Sequence, residues 1–131
     1  MVTGRTSPHA PCPCGSGERY DGCCGPLHAG RPAATALALM RSRYSAFALG
    51  YAHHLSATWH PGTVPGDVGV DAATRWTGLE IIATDGGEPG DRRGVVEFAA
   101  HYREGGSDGV LRERSRFVFQ SGRWWYLDGR G

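Results

Sequence analysis

Three stretches decide the fold: GVVEFAAHYR (94–103), LRERSRFVFQ (111–120) and RWWYLD (123–128). Residues two apart on a strand share a face, so each stretch can be sorted into two sides. In the first, Val96, Phe98, Ala100 and Tyr102 form an apolar face, with Glu97, His101 and Arg103 opposite. In the second, Leu111, Glu113, Ser115, Phe117 and Phe119 fall together, and Arg112, Arg114 and Arg116 lie on the other side. The connections EGGSDG (104–109) and SG (121–122) suit hairpins, which predicts an antiparallel meander.

Upstream, Thr77 to Thr84 alternates and is rich in Ile and Leu, a further strand closed by the turn signal DGGEPGD (85–91). Asp71 is placed to cap a short helical turn through Arg75. From Ala33 to about Trp59 the apolar positions Leu37, Met40, Tyr44, Phe47, Ala48, Tyr51 and Leu55 recur at steps of three and four, the period of an amphipathic helix. Gly50 is placed to bend or divide it, and Pro61-Gly62 to end it. Helices first and strands afterwards predict an α+β chain, the helix lying across one face of a curved antiparallel sheet.

A length of 131 residues allows one core and a small accessory module, and 40% hydrophobic residues with a net charge of +1 exclude a highly charged disordered chain. All fourteen basic residues are arginine, which excludes a phosphate-binding Walker lysine and a lysine Schiff base. The longest apolar-looking stretch, Ala33 to Met40, is interrupted by Thr35, so neither a leader nor a membrane span is expected and the cytoplasm is the expected compartment. Reducing conditions there disfavour disulfides, which turns the cysteine pattern into a metal or redox question.

All four cysteines lie in one segment, Cys12-x-Cys14 followed by the adjacent pair Cys23-Cys24. One tetrahedral zinc ion held by four thiolates is the simplest use of that spacing, and Gly15, Ser16 and Gly17 suit a tight turn aiming N–H groups at sulfur. Neighbouring cysteines resist a mutual disulfide on geometric grounds. The spacing differs from the common C-x-x-C pair, so by itself it leaves redox chemistry and loose thiols open. A boundary near Arg31-Pro32 divides the chain into a cysteine module with a flexible N-terminus (1–30) and an α+β domain (31–131).

The segment CPCGSGERYDGCCG (12–25) resembles the SEC-C motif, a short zinc-binding element named from the tail of the bacterial translocation ATPase SecA. The stretches LMRSRYSAF (39–47), TWHP (58–61), ERSRF (113–117) and WWYLDG (124–129) resemble the YchJ family of bacterial proteins, which pair SEC-C motifs with a domain like nuclear transport factor two. The resemblance implies one Zn2+ on Cys12, Cys14, Cys23 and Cys24, and a cone of curved sheet closed by helices. Some members carry a further SEC-C motif at the C-terminus; the four cysteines here supply a single cluster. A closed four-thiolate site has no open position for substrate and is structural rather than catalytic. The resemblance also implies a docking surface for a protein partner that it does not name. His28 reads as a solvated loop histidine beside the cluster rather than a ligand.

Inside the cone, Glu113 is the informative residue, because a carboxylate on an apolar face must be paired, hydrogen-bonded or protonated. One expectation pairs it with Arg41 or Arg43 of the helix in a packed interior. The other makes it a general acid or base in a pocket lined by Tyr44, Trp59, Tyr102 and Phe117, with Ser115 and His60 as polar helpers, in an enzyme of isomerase, dehydratase or hydrolase type. His53 and His54 read as surface residues, and His101 with Glu97 as an exposed pair. Arg112, Arg114 and Arg116 with Trp125 permit RNA binding, but the near-neutral charge argues against nucleic acid and for a solvated face. Nucleophile-elbow, H-E-x-x-H and dinucleotide motifs are absent from the sequence. The expected function is therefore that of a non-enzymatic, zinc-stabilised docking protein with a ligand-capable cone, with Glu113-based catalysis and RNA binding as alternatives.

Overall fold

The alternating stretches form strands in a computed structural model that describes residues 7–131. The flexible extension expected at the N-terminus falls partly on residues 1–6, outside the described residues. Strands β1 (Thr74–Gly86), β2 (Arg93–Glu104), β3 (Ser107–Gln120) and β4 (Arg123–Arg130) pair in chain order, each antiparallel to the next. Gly105 and Gly106 (φ 59° and 84°) and Ser121 and Gly122 (φ 55° and 80°) make the last two turns, with both central residues left-handed, as two-residue hairpins require. The expected six-residue connection is therefore two glycines long. Strand β3 starts early because backbone pairing continues past the side-chain pattern, with Gly109 opposite Tyr102, whose ring fills the space a Cβ at Gly109 needs.

The helical turn expected from Asp71 to Arg75 is not formed. Asp71 instead closes a turn, its Oδ1 accepting from the Ala73 amide at 2.9 Å and its carbonyl from the Thr74 amide at 3.2 Å, and the chain enters β1 directly. Irregularities at Trp76/Gly78, Ile81/Ala83 and Arg116/Phe117 bend the strands and curve the sheet.

Three helices precede the sheet: α1 (Cys24–His28), α2 (Ala36–Leu49) and α3 (Ala52–Ala57). Thr35 caps α2, its hydroxyl accepting from the Ala38 amide at 3.0 Å. The long helical pattern divides at Gly50, whose φ of 80° ends α2 while its amide bonds to Ala46 O. Leu39, Met40 and Tyr44 of α2 pack on Val96, Phe98, Ala100 and Phe117 of the sheet's inner face. After α3 the chain runs alongside β4, Tyr126 donating to Thr58 O at 2.9 Å and His60 to Tyr126 O at 2.8 Å, which covers that sheet edge. No helix among the described residues is long and apolar enough to cross a membrane.

Candidate metal centre and ligand cavity

The cysteine module is built around two short turns. Cys12 donates to Glu18 O at 2.9 Å, and Gly15 donates to Cys12 O at 3.1 Å with φ 76°, so the chain doubles back and brings Cys14 beside Cys12. A 3-10 turn at Tyr20–Gly22 then delivers Cys23 and Cys24. All four ligand sulfurs lie within 4.8 Å of one another, and all four are free thiols. The Cys14–Cys23 and Cys23–Cys24 separations are 3.6 and 3.9 Å. A tetrahedral site with metal–sulfur bonds of about 2.3 Å has edges of about 3.8 Å, so the four thiols fit one ion.

The surroundings suit a charged cluster. Ser16 Oγ lies 3.1 Å from Cys23 Sγ, and Arg41 Nη1 donates to Cys14 O at 3.0 Å and reaches Cys14 Sγ at 3.9 Å. Hydrogen bonds from Cys12 and Cys24 pull the Cys14 thiol far down, while the bond to Cys14 pushes Cys12 up to about 11. One sulfur ionises readily and its neighbours then resist, since like charges at this spacing repel. A bound cation offsets that repulsion, which is the chemistry such a donor set provides. Arg41 is thus placed at the cysteines, away from Glu113.

Between α2 and the concave sheet lies a cavity of about 240 Å³. Its walls are aromatic, with Tyr44, Phe47, Trp59, Trp76, Phe117 and Tyr126 among them, and Glu113, Ser115 and Arg43 provide its polar groups. Glu113 Oε2 accepts from Ser115 Oγ at 2.6 Å and Tyr126 Oη at 3.4 Å, and none of the ion pairs among the described residues includes it. The expected pairing with Arg41 or Arg43 is not formed, because both guanidinium groups bond elsewhere. Arg43, only 6% exposed, donates from Nη1 to Leu55 O and Thr58 Oγ1, both at 2.8 Å, tying α2 to α3 rather than to the sheet. Its guanidinium lies 4.2 Å from the Tyr126 ring centre and 5.2 Å from that of Trp59.

Burial lowers Arg43 to about 10, which leaves it a cation at neutral pH. Burial likewise pushes the Tyr44 and Tyr126 phenols up to about 12, so both are neutral hydroxyls. The indole Nε1 of Trp59 is buried without a hydrogen-bond partner among the described residues.

The family model for the middle, NTF2-like domain of YchJ matches residues 35–129, nearly all of the chain beyond the cysteine module. This chain belongs to the YchJ family. A UPF0225 protein of Streptomyces coelicolor is 53% identical over 93% of this chain and 96% of its own length, and one of Deinococcus radiodurans 49% identical over 92% and 89%. The solution structure of a SEC-C motif containing protein from Rhodopseudomonas palustris superposes with a TM-score of 0.82 at 38% identity, covering 93% of this chain and 98% of that one. A crystal structure of a SEC-C motif containing protein from Psychrobacter arcticus gives 0.70 at 28% identity, covering 95% and 81%. The α+β cone expected from the sequence is therefore the fold of this YchJ family member.

Other residues singled out in the sequence lie apart from the cavity. His60 bonds through Nε2 to Gln120 Oε1 at 2.7 Å and sits against Trp125, on the outer side of β4. Tyr102 stacks edgewise on Trp76 at 5.5 Å, behind the cavity wall. His28 is not a solvated loop residue: it ends α1, holds Tyr20 Oη on Nδ1 at 2.6 Å and Ser42 O on Nε2 at 2.8 Å, and burial lowers its pKa. His54 is buried at 8% exposure, its Nε2 2.9 Å from Ser42 Oγ, whereas His53 is exposed as expected. His101 faces Glu80 of β1 at 3.8 Å rather than Glu97. In the arginine stripe, Arg114 lies 3.5 Å from Glu97, and Arg116 forms a two-point pair with Asp128 whose Nε–Oδ1 arm is 2.6 Å, which holds the Asp128 carboxyl below its usual range.

Sequence reasoning missed Trp76 and Tyr126 as cavity residues. Tyr126 carried a signal, since it stands two after Trp124 on β4, while the irregularity beside Trp76 hides its face from a strict count of two.

Proposed function

We propose that this YchJ family member binds a small organic molecule inside the cone and uses a four-thiolate zinc ion as a structural staple. The observation that carries the reading is the aromatic-walled cavity of about 240 Å³, lined by a buried arginine and by a tryptophan whose indole N–H has no partner among the described residues. Predominantly apolar concavities with a few convergent polar groups are the usual form of ligand sites. For zinc, support comes from the four converging sulfurs and from the SEC-C relatives.

Titration of the isotope-labelled protein with indole tests the cone. The expected result is saturable amide shifts at Phe98, Leu111 and Phe117, abolished by the cavity-filling variant Ala100→Phe. Folded protein that binds neither indole nor the single-ring probes 4-hydroxybenzoate, benzoate and phenol overturns the reading. For the metal, about one zinc per chain is expected by elemental analysis, and none in Cys14→Ser; metal-free protein that is fully folded overturns the staple.

Glu113 gives a second reading, as an acid or base acting on the bound molecule. It is favoured by one observation: the carboxylate faces the cavity, held by hydroxyls and not by an arginine. Docking of a protein partner keeps the SEC-C resemblance as its support. Because Cys12, Cys14 and Cys24 turn into the core, such a partner reads the opposite, exposed side at Glu18, Arg19 and Asp21.

A further inference from the structure

Three side chains in the cone have unused bonding capacity among the described residues. Arg43 donates only through Nη1, leaving Nε and Nη2 without a protein acceptor. Trp59, another lining residue, has a buried Nε1 with no acceptor among the described residues. Both donors to Glu113 reach Oε2, leaving Oε1 as a free acceptor. A buried donor left unmet, as Trp59 Nε1 is, is costly, and a ligand acceptor that completes it recovers that cost on binding.

The two polar groups beside Tyr126 make opposite demands. Arg43 lies over the face of the Tyr126 ring while Glu113 is reached by that tyrosine's hydroxyl, so cation and carboxylate are held apart by the phenol. The guanidinium calls for an anionic acceptor, best met by a planar carboxylate on its fork. The Glu113 carboxylate calls for a donor. The rest of the wall is largely aromatic, which favours a flat aromatic body through offset and edgewise packing. An apolar cavity of about 150 Å³ accepts benzene, so about 240 Å³ suits one substituted ring.

Resting on the reading of the cone as a ligand site, we infer that its ligand class is a hydroxylated aromatic acid of one ring, with its carboxylate on Arg43 and Trp59 Nε1 and its hydroxyl on Glu113. A simple aromatic acid lacks the donor for Glu113. A simple phenol leaves the arginine unmet.

The test compares 4-hydroxybenzoate, benzoate and phenol by calorimetry on the zinc-loaded protein. The expected result is that 4-hydroxybenzoate binds at least about tenfold more tightly than either of the other two, as a hydrogen bond to a charged group implies. Trp59→Phe keeps an aromatic side chain while removing the N–H, and is expected to weaken 4-hydroxybenzoate about fivefold or more while weakening phenol much less. Glu113→Gln is expected to weaken 4-hydroxybenzoate and phenol and to spare benzoate. Circular dichroism confirms that each variant is folded, and two variants on separate elements keep the test decisive if one fails. If phenol binds as well as 4-hydroxybenzoate, the acid assignment is overturned and the ligand-binding reading stands. If the folded wild-type protein binds none of the three and no indole, the ligand-binding reading itself is overturned.

Discussion

His54 illustrates how its surroundings set a side chain's charge. Its sequence neighbours leave it indistinguishable from His53, yet the turn of helix that exposes one buries the other against Ser42 and His28. Burial lowers its pKa to about 3, with the nearby His28 and Arg43 acting in the same direction. The folded value lies below the unfolded value near 6.5, so the unfolded chain takes up the proton first and stability falls as pH drops through that window. Between pH 7 and pH 5 the expected loss from this residue is about 2 kcal/mol. Urea midpoints measured across that range check it: His54→Gln should flatten the slope, and an unchanged slope would remove His54 as its source. Arg41 and Arg43 teach the same lesson, two residues apart on one helix and committed to different ends of the molecule, one to Cys14 and the other to α3.

Among the elements, strands were more legible than their ends. Alternation in β2 and β3 is set by the pleat, so the inner face of Val96, Phe98, Ser115 and Phe117 could be read directly. Where β1 begins and how far β3 extends toward Gly106 depend on which backbone groups find partners, and composition does not record that. The first hairpin shows a further constraint. Gly94 stands where a Cβ would lie 2.6 Å from Gly87 Cα and 2.8 Å from Ala36 Cβ, because the Gly87 carbonyl caps the start of α2 by accepting from the Ala36 amide at 2.9 Å. Gly94→Ala is therefore expected to cost about 1–3 kcal/mol in chemical denaturation, through overpacking. Gly66→Ala, where the added carbon meets nothing within 4 Å, serves as the near-neutral comparison.

At the scale of the molecule, the cysteine module and the cone share one interior. Cys12, Cys14 and Cys24 belong to the same buried cluster as Met40, Phe98, Phe117 and Trp124. A metal at the cysteines then stabilises the cone as well as its own loop, and chelation is expected to lower one cooperative melting transition of the whole chain. Two separate transitions in calorimetry, only one of them sensitive to chelator, would show the module to be independent.

The four-cysteine spacing, the alternation of the last three strands and the glycines of the turns are properties of the chain alone, because they rest on local periodicity and backbone geometry. Which arginine meets which acceptor, which histidine is buried, and that Glu113 faces a cavity rather than an ion pair were decided by tertiary structure. Those outcomes depend on distances between elements far apart in sequence, where several partners of the right chemistry compete and only the packed geometry selects among them.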